Sequence, residues 1–188
     1  EITTDHAVVG WGDPGLPDLH GMYWSSSNDF TEAMYYRLAQ AVSFSNSFIK
    51  NASELSGEEV NIFIAEARFL RAYAYYNLLD LYGNVPLTTE ISTELPTQSN
   101  RTELFEFIES ELIAIESILL SSNEYGRVDN VAAHALLSRL YLNAEVWTGQ
   151  NRYADCITYS QNVINSGYSL NTNDANGNGT AYDELFLA

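Results

Sequence analysis

EEVNIFIAEARFLRAYAYYNLLDLYGNVPL, residues 58–87, carries two apolar stripes side by side. One runs through Ile62, Ala65, Phe69, Ala72, Tyr76 and Leu79, the other through Phe63, Ala67, Leu70, Ala74, Leu78 and Leu81, both at helical spacing. Two adjoining stripes predict a helix buried on two sides, in the middle of a helical stack. Ser56 and Glu59 read as a capping box at its start, and Gly83 and Pro86 stop it. The alanines at 65, 67, 72 and 74 let partner helices approach closely, while the tyrosines at 73, 75, 76 and 82 bury ring area and need a partner for each hydroxyl.

Working outward, Asn28 or Asp29 caps a helix running to Lys50, with Met34, Leu38, Ala41, Val42, Ser45 and Phe48 on its inner side. A short turn over 51–56 makes this helix and the central one an antiparallel pair. Beyond the polar connector 88–99, Asn100 and Glu103 cap a third helix striped by Leu104, Ile108, Leu112, Ile115 and Leu119. A fourth, Asp129 to Trp147, presents Ala133, Leu136, Leu137, Leu140, Ala144 and Trp147 and completes a second pair; a fifth runs from Arg152 to Asn165. Helix pairs joined by short turns, with small residues at the contacts, predict a mainly α fold of tetratricopeptide-like pairs stacked as a right-handed array with long loops. The expected division is a loop-rich segment 1–29, a helical scaffold 30–170, and a loop with the onset of further ordered chain over 171–188.

At 188 residues and 46% hydrophobic, the chain can bury one sizeable core. Its formal charge is 8 − 25 = −17, with Lys50 the one lysine, so nucleic acid and anionic lipid surfaces are poor partners. No apolar run approaches the roughly 20 residues of a membrane span. The single cysteine, Cys156, excludes an internal disulfide and a four-cysteine zinc cluster.

Residues 1–28 set Trp11, Tyr23 and Trp24 among Gly10, Gly12, Pro14, Gly15, Pro17 and Gly21, which forbids a long helix and presents the aromatics from loops. Such rings either cap the adjoining helices or form a ligand platform. His6 and His20 have no further ligands at motif spacing, so no metal is expected there. His134, amid alanines and leucines, reads as a hydrogen-bonded core or groove histidine, and Cys156 as a buried inert thiol. Glu66 is expected to pair on the helix surface or to face Arg37 or Arg139. The loop NTNDANGNG, 171–179, fits a calcium loop poorly, because Gly177 at its sixth position puts Thr172 first and Asp183 twelfth; a plain flexible loop is expected. No nucleophile motif or phosphate loop is present, and no cofactor is expected.

Glu66-Ala67-Arg68-Phe69-Leu70-Arg71-Ala72-Tyr73 followed by Leu81-Tyr82-Gly83-Asn84-Val85-Pro86-Leu87 closely resembles the signature of the SusD/RagB family of outer-membrane nutrient-binding lipoproteins. Arg101 with Ile108, Glu111 and Leu112, the helix Ala132-Ala133-His134-Ala135-Leu136-Leu137-Ser138-Arg139-Leu140-Tyr141-Leu142 after Gly126-Arg127, the run from Tyr153-Ala154-Asp155 to Tyr168-Ser169-Leu170, and Glu184-Leu185-Phe186 are similar to further family segments in the same order. The resemblance implies a non-catalytic protein on the outer membrane of Bacteroidetes-type bacteria, facing outward through N-terminal lipidation. Such a protein captures oligosaccharides, occasionally peptides, and passes them to a SusC-like TonB-dependent transporter. It also implies a lipoprotein signal ahead of residue 1 and a C-terminal half beyond residue 188.

Sugars offer apolar C–H faces to indole or phenol rings and hydroxyl edges to carboxylates and amides. Trp11 beside Asp13, and Tyr23 with Trp24 near Asn28, supply both kinds of contact and are the expected ligand residues. A peptide- or protein-binding repeat scaffold and a glycan-cleaving enzyme with two carboxylates are the alternatives.

Overall fold

A computed structural model describes residues 2–4, 9–170, 172–179 and 181. The elements are α1 (Leu16–His20), α2 (Asp29–Ala52), α3 (Glu58–Tyr82), α4 (Arg101–Ile115), α5 (Asn130–Leu142), α6 (Ala144–Thr148) and α7 (Tyr153–Ile164). Among the described residues there is no strand, only an isolated bridge between Pro86 and Gln98. The fold is a mainly helical, tetratricopeptide-like stack. Glu184-Leu185-Phe186 lies outside the described residues.

α3 is the central helix that its double stripe demands. It packs along α2 on one side and α4 on the other. Ala65, Phe69, Ala72, Tyr76 and Leu79 are buried, as are Ala67, Ala74 and Leu78 of the second stripe. Leu70 and Leu81 stay about half exposed, because α2 crosses only part of that row. α2 packs chiefly against α3, so Val42 and Ser45 are buried while Met34 and Phe48, expected on the inner side, are about half exposed.

The helix ends correct two expectations. α3 starts from Gly57 (φ +138°) with no side-chain cap. With Gly57 at the cap, Glu59 is one position short of where a capping box needs it. The complete box is at α4, where Glu103 N–H donates to Asn100 Oδ1 (3.0 Å) and Asn100 N–H to Glu103 Oε2 (2.9 Å). The expected helix 129–147 breaks at Asn143, whose Nδ2 donates back to Arg139 O (3.1 Å). The break turns Trp147, on α6, edge-on to Tyr76 with ring centroids 5.9 Å apart. Pairing also differs from expectation: α4 lies mainly along α3, and α5 pairs with α7.

Polar groups lock the three central helices together. Glu111 of α4 accepts from Arg68 Nη2 (2.8 Å) and Arg71 Nη2 (2.6 Å) of α3. Arg71 Nη1 reaches Asn46 Oδ1 of α2 at 2.7 Å, and Asn46 Nδ2 donates to Thr88 O at 3.1 Å. Tyr75 OH in turn accepts from Thr88 N (2.8 Å), tying the connector down. Arg71 and Glu111 are almost fully buried. Glu66 pairs with neither Arg37 nor Arg139. It accepts from Arg127 Nη2 (2.7 Å) and Asn123 Nδ2 (2.9 Å) in the α4–α5 turn, while Arg139 lies over the Tyr76 ring.

Burial alone would raise the Glu111 carboxyl, but hydrogen bonds and charge from Arg68 and Arg71 outweigh it and hold the group below its ordinary 4.5. A folded value below the unfolded one stabilises the protein above about pH 4.5, and that contribution is lost as pH falls through the folded value. Removing one member of a buried pair strands the other charge, at a cost of about 3–5 kcal/mol. Glu111→Ala is therefore expected to lower unfolding free energy by about that much in urea titrations at pH 7, against under about 1 kcal/mol for the more exposed Arg127→Ala. The gap between wild type and Glu111→Ala should narrow as the titration is repeated at progressively lower pH.

Candidate ligand-binding site

The glycine-rich segment before α2 is a loop held at one point. Gly15 (φ +90°) precedes the single-turn helix α1, and Leu16 is buried beneath it. Asn28 caps α2, accepting from Phe30 N (3.1 Å) and Thr31 N (3.2 Å), while its Nδ2 donates to Gly15 O at 2.9 Å. One buried side chain thus starts a helix and clasps the loop to it. Behind the cap, Tyr82 OH donates to Thr31 O (2.6 Å), fastening the start of α2 to the end of α3.

Above this clasp lies an open cavity of about 420 Å³ between the loop and the two helix ends. Trp24 forms one wall and Tyr36 another, both well exposed; Glu32, Ser25 and Ser26 supply polar edges. Tyr35 backs the site, edge-on to Tyr36 (centroids 6.0 Å) and to Tyr82 (5.3 Å). Those contacts fix ring orientation. Burial raises the Tyr82 hydroxyl above its ordinary value, so it stays protonated and donating at neutral pH.

Of the five residues expected from sequence, Trp24 lines this cavity. Trp11 is 73% exposed and Asp13 also faces solvent, on the same loop but outside the lining. Tyr23 folds back, its Cε1 lying where a Cβ on Gly21 would sit, so it packs on the end of α1. Asn28 is buried beneath the cavity, its side chain committed to the cap and to Gly15, so its place in this structure is that of a clasp. Glu32, Tyr35 and Tyr36 were missed. The signal was present, since Glu32 and Tyr36 are four residues apart on one helix face beside an aromatic loop.

His20 Nδ1 lies 3.2 Å from Ile2 O; His6 and Asp183 lie outside the described residues. Asp174 accepts from the N–H groups of Asn178 (3.1 Å) and Gly179 (2.8 Å), closing its own turn. No cluster of three or more His, Cys, Asp or Glu suited to a metal occurs among the described residues. His134 packs against Tyr159, 3.6 Å from Glu116. Cys156 is half buried rather than buried, near the hydroxyls of Ser138 and Ser160.

The family described as starch-binding associating with the outer membrane matches residues 19–142, from within α1 to the end of α5. The chain belongs to this SusD-like family. It is 37% identical, over its whole length, to the starch-binding protein SusD of Bacteroides thetaiotaomicron, and spans 33% of that protein. A SusD superfamily structure from Parabacteroides distasonis superposes with a TM-score of 0.75 at 27% identity, covering 82% of this chain and 36% of that one. A structure solved with a xylogluco-oligosaccharide has the same fold, with a TM-score of 0.81 over 95% of this chain and 36% of its own at 24% identity. The SusD-like match spans both the Arg71–Glu111 network and the Trp24 cavity.

Replacing the Asn28 clasp removes a cap and a loop tether together. Asn28→Ala is expected to cost about 1–2 kcal/mol of stability and to speed amide hydrogen exchange across residues 12–24, whereas Trp24→Ala should leave both nearly unchanged.

Proposed function

We propose that this SusD-like chain captures neutral oligosaccharides by stacking sugar rings on Trp24 and Tyr36, with Glu32 and the serine hydroxyls holding the hydroxyl edges. The cavity carries the reading. It combines two exposed ring faces with one carboxylate and no cation among its lining residues, which suits an uncharged polyhydroxylated ligand better than a phosphate or an acidic peptide. Trp11 and Asp13, exposed on the same loop, offer a further ring face and carboxylate to a longer oligosaccharide. The starch-binding name of the 37% identical relative supports this ligand class.

The wider role follows the family. The protein works at the outer-membrane surface, facing outward on an N-terminal lipid anchor, and hands its ligand to a SusC-like TonB-dependent transporter. It acts by binding, without cleaving the glycan.

Native electrophoresis through gels containing amylopectin, xyloglucan or other neutral polysaccharides tests the reading. Wild type should be retarded selectively. Trp24→Ala and Tyr36→Ala should each need about three- to tenfold more polymer for the same retardation, the loss of one ring contact of roughly 0.5–1.5 kcal/mol. Full retardation of both variants would place the ligand elsewhere.

A further inference from the structure

The far end of α3 carries a second aromatic cleft. Its centre is Tyr125 in the turn between α4 and α5, the most exposed large hydrophobic side chain among the described residues. With Tyr168, Ser121, Ser122, Glu124 and Arg127 it borders a space of about 480 Å³. Burial of its ring gives the fold nothing.

The turn beneath it is nevertheless tightly braced. Asn123 Nδ2 donates to Glu66 Oε1 and to Val128 O, both at 2.9 Å, while its Oδ1 accepts from Glu124 N (2.9 Å). Arg127 pairs with Glu66 and lies over the Phe63 ring, 5.0 Å from its centroid. Asn130 N donates to Leu120 O (2.9 Å), closing the base of the turn. Gly126 takes φ +85°, a conformation that other residues adopt with strain. Across the cleft, Tyr168 is fixed by its hydroxyl, which donates to Asp129 Oδ2 at 2.6 Å. The backbone is thus held still while one phenol ring projects freely and another is locked beside it. A binding surface built this way loses little conformational entropy when occupied.

We propose that this cleft is a second glycan-contact site, gripping a distant stretch of the same polysaccharide chain. The inference rests on the glycan-binding reading above. The chemistry repeats that of the Trp24 cavity: ring faces for C–H stacking, serine hydroxyls, and one carboxylate, here joined by a guanidinium already neutralised by Glu66. Leu81 lines the first cavity and Glu66 braces the second, and the 15 residue steps from one to the other span about 22 Å of helix axis at 1.5 Å each. Each short oligosaccharide fills one site, so two molecules bind independently, whereas one polymer chain engages both sites and gains by effective concentration.

The test uses the same native gels with amylopectin and xyloglucan, on wild type, Tyr125→Ala, Trp24→Ala and the double variant. Tyr125 is fully exposed, so its replacement leaves the fold intact. In the gel that retards wild type, Tyr125→Ala is expected to need three- to tenfold more polymer for equal retardation, and the double variant to lose the retardation that Trp24→Ala retains. Calorimetry with a short oligosaccharide of the same polymer should show two binding events in wild type and one in Tyr125→Ala. Tyr125→Ala indistinguishable from wild type in both assays overturns the second site while leaving the first. A wild type retarded by no polysaccharide overturns glycan capture itself, and this site with it.

Discussion

The ion network joining Arg68 and Arg71 to Glu111 is the constraint on which the rest of the structure depends. α3 is buried on two sides, so any charge on it must be satisfied by its neighbours. The arginines meet this by gripping α4 through Glu111 and, through Asn46, both α2 and the connector that follows α3. Apolar stripes alone would allow these helices to slide past one another by a turn. Directional bonds to a single carboxylate and a single amide do not, and they set the register that brings the start of α2 beside the end of α3, where the Trp24 cavity forms.

Much of this frame was legible in the sequence. The double stripe of α3 predicts its central place, and Asn28 and the Asn100–Glu103 box predict two helix starts, because each signal is confined to one or two turns of chain. What escaped depends on distance. Glu66 finds Arg127 across 61 positions, and nothing local distinguishes that arginine from Arg37 or Arg139. The break at Asn143 escaped for a different reason: the apolar spacing continues through it, and only packing against Tyr76 shows that Trp147 arrives by a turn.

The candidate cavity was legible only in part, and the reason is chemical ambiguity. An asparagine before a helix is both a good cap and a good partner for a sugar hydroxyl, and burial decides for the cap at Asn28. An exposed tryptophan in a glycine-rich loop is more specific, and Trp24 does line the cavity. Glu32 and Tyr36 carry a signal in their four-residue spacing beside an aromatic loop, but Tyr35 looks like ordinary amphipathic surface until the loop is placed over it. Local rules therefore describe the frame well, while the site arises where loop and frame meet.

In the proposed mode of capture the ligand rests on the rings of Trp24 and Tyr36, above the loop that Asn28 ties to α2. A crystal structure of the protein soaked with a maltooligosaccharide or a xyloglucan oligosaccharide tests it most directly. The expected result is a sugar ring stacked on Trp24, with hydroxyls within hydrogen-bond distance of Glu32. A bound oligosaccharide touching Trp11 or another surface while the Trp24 cavity stays empty would contradict it.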